Sequence, residues 1–165
     1  MSRAAAIFAV ALVACVVVAN LLVTHVSPIP VGFGLLAPAG VLVAGLAFTI
    51  RDLLDRTGGR AWVLAAIAAG TVVSLLMGTG VIAFAAAVAF AVSEMLDWLT
   101  YRSLRDRFLV AVAVSGVVGL IIDTLLFCWL AFGDLAFVPG QIVGKVYALA
   151  AAVALLYVVR RRVTA

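Results

Sequence analysis

The sequence predicts an all-α integral membrane protein, a bundle of six transmembrane helices with both termini in the cytoplasm, and three observations lead there. Of its 165 residues 68% are hydrophobic and 11% charged, and the mean hydropathy of +1.37 is far above that of a soluble domain. Apolar stretches long enough to cross ~30 Å of hydrocarbon at 1.5 Å per residue recur six times along the chain. The arginines fall almost entirely in alternate connections between those stretches.

The runs cover about residues 4–25, 33–50, 61–77, 80–100, 108–132 and 137–159, so residues 1–165 form a single membrane domain. Backbone groups in lipid must be satisfied internally, and no alternating ten-residue pattern suggests a barrel, so the runs are read as helices. The second run is loosened by Pro38, Gly40 and Gly45, and the third ends at Met77-Gly78-Thr79-Gly80. The first begins after Arg3 and continues past Asn20 to Leu22 and Val23, which reads as an uncleaved helix rather than a signal peptide.

Arg51, Arg56 and Arg60 follow the second run, Arg102, Arg105 and Arg107 the fourth, and Arg160, Arg161 and Arg162 the last. The opposite connections, His25 to Val31, Gly78 to Gly80 and Gly133 to Ala136, carry no Lys or Arg. The arginine-bearing side is therefore expected in the cytoplasm and the protein in the plasma (cytoplasmic) membrane. This bias accounts for the net charge of +4, so no nucleic-acid partner is expected. Cys15 and Cys128 have no Cys-x-x-Cys spacing and His25 no second ligand nearby, so the pattern implies no metal and no cofactor.

Against this background Glu94, Asp97, Asp123 and Lys145 stand out, because all four lie inside apolar runs. A charge at the bilayer centre costs ~3 kcal/mol even on a lenient scale, so four risk roughly 10 kcal/mol unless they face one another, water or a ligand. A polar interior is required. At 100° per residue Ser93, Glu94, Asp97 and Tyr101 share an arc of about 100° on the fourth helix. Ser115, Gly116, Gly119 and Asp123 share another of about that width on the fifth, and Gln141, Lys145, Ala148 and Ala152 a narrower one on the sixth beside Gly140 and Gly144. Counting from the connections puts Asp123 and Lys145 both roughly 12–15 Å below the outer surface, where they can meet. Asn20 belongs to that level. Glu94 and Asp97 belong to an inner level, with Thr49, Arg51 and Asp52.

The plain structural reading of each feature is a helix-fixing Asp123–Lys145 pair, an Asp97 snorkelling to the inner interface, and a Tyr101 in an aromatic belt. Arg51, Asp52, Asp55 and Arg56 read as a solvated helix end with i,i+4 charge pairs. Gly140 to Lys145 lacks phosphate-loop spacing, and Val146 stands where such a loop needs Ser or Thr. No nucleophile–base arrangement is visible, so an enzyme is not expected.

With these residues in order, the chain resembles the vitamin uptake transporter family, also called the queuosine precursor transporter family. The resemblance rests on Ala19-Asn20-Leu21-Leu22, Phe48-Thr49-Ile50-Arg51-Asp52-Leu53-Leu54, Ser93-Glu94 with Asp97 and Tyr101, Ile122-Asp123-Thr124-Leu125-Leu126-Phe127 with Ala131-Phe132, and Gln141 with Lys145. It implies import of a small planar solute, a 7-deazaguanine precursor of queuosine; the leading reading of mechanism is a secondary carrier or facilitator working through alternating access. Departures from the family pattern are the short outer connection between the last two helices and Glu94, where some relatives carry an amide. The expected binding residues are Glu94, Asp97, Asn20, Gln141, Asp123, Lys145 and Tyr101, with Glu94 gripping the donor edge of the base. A carrier needs only this chain, alone or as a homodimer. The alternative is a substrate-binding membrane subunit of an energy-coupling uptake complex for a vitamin or base, which needs ATPase partners.

Overall fold

The computed structural model describes residues 3–77 and 80–164. Gly78, Thr79 and the side chains of Arg160, Arg161 and Arg162 lie outside the described residues. Among the described residues six helices occur: α1 (Arg3–His25), α2 (Val41–Gly58), α3 (Arg60–Met77), α4 (Gly80–Leu104), α5 (Phe108–Phe132) and α6 (Val138–Thr164). Five of them, all but α2, are long and apolar enough to cross a membrane.

The largest departure from the sequence reading lies between α1 and α2. Helix was expected from about residue 33, but β1 (Ile29–Gly32) and β2 (Leu35–Ala37) form an antiparallel hairpin and α2 starts only at Val41. The backbone explains the change. Gly32, Phe33 and Gly34 all adopt positive φ, 99°, 53° and 70°, and Pro30 and Pro38 withhold donors a helix would need. The hairpin lies against α6, where a Cβ at Gly140 would overlap the Leu36 carbonyl oxygen.

Helix α2 also ends later than expected, at Gly58, so it carries Arg51, Asp52, Asp55 and Arg56 within its length. Of these, Arg51, Asp52 and Asp55 cannot face lipid and turn inward, while Leu42 and Leu46 on its other face are exposed. The packing resolves this: α1, α3, α4, α5 and α6 stand side by side in that order, and α2 touches every one of them. Close approach depends on small residues, since a Cβ at Gly45 would come within 2.8 Å of the Ala148 side chain and one at Gly144 within 2.8 Å of Val41. The α5 and α6 arcs face inward: Ser115, Gly116, Gly119, Gln141, Lys145 and Ala148 are buried with Gly140 and Gly144, and Asp123 and Ala152 are half-buried.

Candidate functional site

Between α2 and its ring of neighbours lies a cavity of about 100 Å³ to which all six helices contribute. At ~30 Å³ of liquid volume per water that is room for about three waters, so a bicyclic solute needs the cavity to widen. One end reaches the hairpin side of the molecule, through Thr24, Pro38 and Ile82, of which Thr24 and Ile82 are exposed. The other ends blindly at Phe48 and Glu94, both buried. Phe48, Phe90 and Phe127 give the wall three aromatic rings, which suits a flat ligand.

Five of the seven expected residues line this cavity: Asn20, Glu94, Asp123, Gln141 and Lys145. The expected meeting of Asp123 and Lys145 is present. Lys145 Nζ donates to Asp123 Oδ2 at 2.6 Å, Thr124 Oγ1 at 2.9 Å and Gln141 Oε1 at 2.9 Å, so all three ammonium donors are used. Ser93 Oγ reaches Asp123 Oδ1 at 3.4 Å, and Gln141 Nε2 donates to Cys128 Sγ at 3.2 Å. On the opposite wall Asn20 Nδ2 donates to the Val16 carbonyl oxygen at 2.9 Å and lies 3.3 Å from Ser74 Oγ.

The floor differs from what the sequence suggested. Arg51, Asp52 and Asp55 were read as a solvated helix end, yet Arg51 and Asp52 are 0% exposed and Asp55 5%. Only Arg56 of that group is exposed. The expected i,i+4 pairs give way to a fan: Arg51 Nε donates to Glu94 Oε2 at 3.1 Å, Nη1 contacts Asp52 Oδ1, and Nη2 contacts Asp97 Oδ2. A planar fork of five N–H groups can hold three carboxylates; an ammonium has one point of charge. Ser115 Oγ donates to Asp52 Oδ2 at 3.3 Å, and the Arg51 guanidinium lies 6.0 Å from the Tyr101 ring centre.

Asp97 and Tyr101 do not line the cavity and are buried behind it, Asp97 at 0% and Tyr101 at 3% exposure. Neither snorkels to an interface. Their place follows from α2, whose inward face puts Arg51 where inner water was expected. Beyond them Trp98 Nε1 donates to Asp55 Oδ1 at 2.9 Å and Arg102 reaches the same oxygen at 3.5 Å. Glu94 Oε1 and Asp97 Oδ1 are buried without a hydrogen-bond partner. The site therefore offers, at its blind end, one acceptor that nothing in the protein uses.

The family model described as "putative vitamin uptake transporter" matches residues 76–160, which take in α4, α5 and most of α6. The chain belongs to that family. Membership makes this multi-pass membrane protein a transporter of a small solute rather than an enzyme, and it places the Glu94, Asp123 and Lys145 walls inside the matched segment. The Arg51 and Asn20 walls precede it. No curated protein and no solved structure matches the chain. Within this vitamin uptake transporter, Arg51 is the functional candidate that sequence reasoning passed over. It stands in the Phe48-to-Leu54 stretch that carried the resemblance, one turn beyond the cavity residue Phe48.

Proposed function

We propose that this chain imports a 7-deazaguanine precursor of queuosine across the plasma membrane by alternating access, with the cavity as its binding site. The observation that carries the proposal is the unpartnered Glu94 Oε1 at the blind end of an aromatic-walled cavity. That free oxygen can accept N–H donors from the guanine-like edge, while Arg51 Nε holds its partner oxygen. Asn20 and Gln141 can serve the other edge, and the phenylalanines its faces. Asp97 and Tyr101 act one layer behind by holding Arg51, which orients Glu94. Asp123 and Lys145 hold the α5–α6 wall.

The arginine asymmetry puts the Arg102 end in the cytoplasm and the hairpin end outside. The cavity is then open to the outside and closed inside by the Arg51 fan, as an importer awaiting its solute should be. A cysteine placed at Arg56 should react with an impermeant thiol reagent only from the cytoplasmic side, and one at Gly133 only from outside; the reverse pattern would overturn this orientation. Function is tested in vesicles reconstituted with the purified chain alone and offered a labelled 7-deazaguanine precursor against adenine, guanine and biotin. Saturable uptake of the deazaguanine is expected. Uptake of biotin instead would reassign the substrate, and uptake that appears only with added ATPase partners would make the chain the binding subunit of an energy-coupling complex.

A further inference from the structure

The Arg51 fan is charged out of balance. One guanidinium faces three carboxylates, Asp52, Glu94 and Asp97, and all four side chains are 0% exposed. The surrounding elements do not make up the difference. Helix α5 brings Asp123, already held by Lys145 of α6. Further along α2, Asp55 is held by Arg102 of α4. Helix α3 brings Arg60, which lies over the Trp98 ring at 5.8 Å, and α2 brings Arg56, which is exposed and lies over the Phe108 ring at 4.3 Å. Helix α1 brings only the Cys15 thiol, and α4 itself the Tyr101 phenol facing Arg51. Among the described residues, then, no free cation offsets the two surplus carboxylates, and buried charge without a partner is strongly disfavoured.

The hydrogen-bond pattern says which carboxylates carry the surplus. Asp52 is spoken for on both oxygens, Oδ1 by Arg51 and Oδ2 by Ser115. Glu94 and Asp97 each keep one buried oxygen without a partner, Oε1 and Oδ1, and they are neighbours one turn apart on α4. Two such groups share one proton more readily than both ionise, and one shared proton lowers the surplus from two charges to one while giving each orphan oxygen a use. Among the described residues no cluster is arranged to hold a metal ion instead.

We infer that Glu94 and Asp97 share an exchangeable proton and that the protein is a proton symporter, the proton entering through the cavity with the solute and leaving from Asp97 when the Arg51 floor opens. This rests on the transport reading but adds its energy source. Glu94 touches the cavity and Asp97 does not, so the pair joins the solute path to the sealed side. The proton donated by Asp97 leaves Glu94 an acceptor for the solute.

The test has two arms. In the first, purified protein in lipid nanodiscs at neutral pH is examined by infrared spectroscopy for a carboxylic-acid C=O band that shifts in D2O. The band is expected in the wild type and expected to be lost in both Asp97→Asn and Glu94→Gln. Its absence from the wild type, or its survival in a folded form of either variant, would overturn the proposal. In the second arm, vesicles with acid outside and neutral buffer inside should take up the labelled deazaguanine several-fold faster than without the gradient, and Asp97→Asn should show no such acceleration. Uptake driven by a sodium gradient but not by the pH gradient would also overturn it. The infrared arm needs no solute, so a band present in a protein that carries no deazaguanine would refute the substrate assignment while sustaining the shared proton.

Discussion

Two buried cations anchor this bundle, and they are used in opposite ways. Lys145 faces one carboxylate and has every donor satisfied, two of its three bonds going to the neutral Thr124 and Gln141. Arg51 faces three carboxylates and leaves oxygens on two of them unanswered. The first arrangement is electrically closed, so it stiffens the α5–α6 wall at little risk. The second is open to a proton or to the donors of a solute, and it lies where the cavity ends. A buried ion pair is thus weak evidence of function by itself; the unmet part of a network is better evidence.

The comparison breaks most directly at Arg51. Arg51→Met strands three buried carboxylates, for which ~3–5 kcal/mol is expected even before their mutual repulsion, so the variant should give no monodisperse protein in detergent. Arg51→Lys keeps the charge but not the fork, and should fold poorly while remaining detectable. A stable, monodisperse Arg51→Met protein would show that the fan does not hold the bundle.

The Lys145 pair should respond more mildly and with a diagnostic asymmetry. Asp123→Ala leaves Lys145, 1% exposed, without its counter-ion and should cost about 3 kcal/mol. Lys145→Ala leaves Asp123, whose side chain is 17% exposed and can recruit water, and should cost less. The double variant should be more stable than the sum of the two predicts, as a thermal-unfolding cycle would measure. Strict additivity would mean the two charges do not depend on each other.

At Glu94 the effect should move from stability to affinity. Glu94→Gln removes one charge from a crowded cluster, so the fold should survive, but with the amide oxygen kept on Arg51 Nε the amide nitrogen replaces the free oxygen and opposes the ligand's donors with donors of its own. Deazaguanine binding is expected to weaken by ~2 kcal/mol, read by titration of the folded variant. Unchanged affinity would remove Glu94 from the site and turn attention to Asp123.

How much of this was readable beforehand depended on whether periodicity and depth carried the information. The Asp123–Lys145 pair was legible because both residues sit in long helices bounded by clear turns, so depth arithmetic was enough to bring them together. Five apolar helices were legible for the same reason. Arg51 was not, because its position near the end of an apolar run looks the same whether that face of the helix meets water or the bundle interior, and only packing turns it inward. The hairpin was hidden by its own hydrophobicity: Phe33, Leu35 and Leu36 extend an apolar run that Gly32, Gly34 and Pro38 contradict. Asp97 and Tyr101 were placed on one face of α4, and what stands against them there is Arg51.

The smallest effects belong to the layer beneath the fan, where a third arrangement separates a buried hydrogen bond from an exposed ion pair on the same oxygen. Asp55 Oδ1 receives Trp98 Nε1 at 2.9 Å and Arg102 Nη1 at 3.5 Å. The Arg102 side chain is 36% exposed, so its charge is screened. Arg102→Gln should therefore change stability by no more than ~0.5 kcal/mol. Trp98→Phe keeps an aromatic ring beneath Arg60 and Arg102 but withdraws the N–H from a carboxylate that is 5% exposed. It should cost roughly 1–2 kcal/mol, because an acceptor deprived of its donor in a buried site loses more than an exposed pair ever gained. Thermal midpoints of the two variants in one detergent give the order directly. A larger loss for Arg102→Gln would mean that Asp55 is held mainly by charge, and that the layer beneath the fan obeys the logic of Lys145 and not that of a buried hydrogen bond.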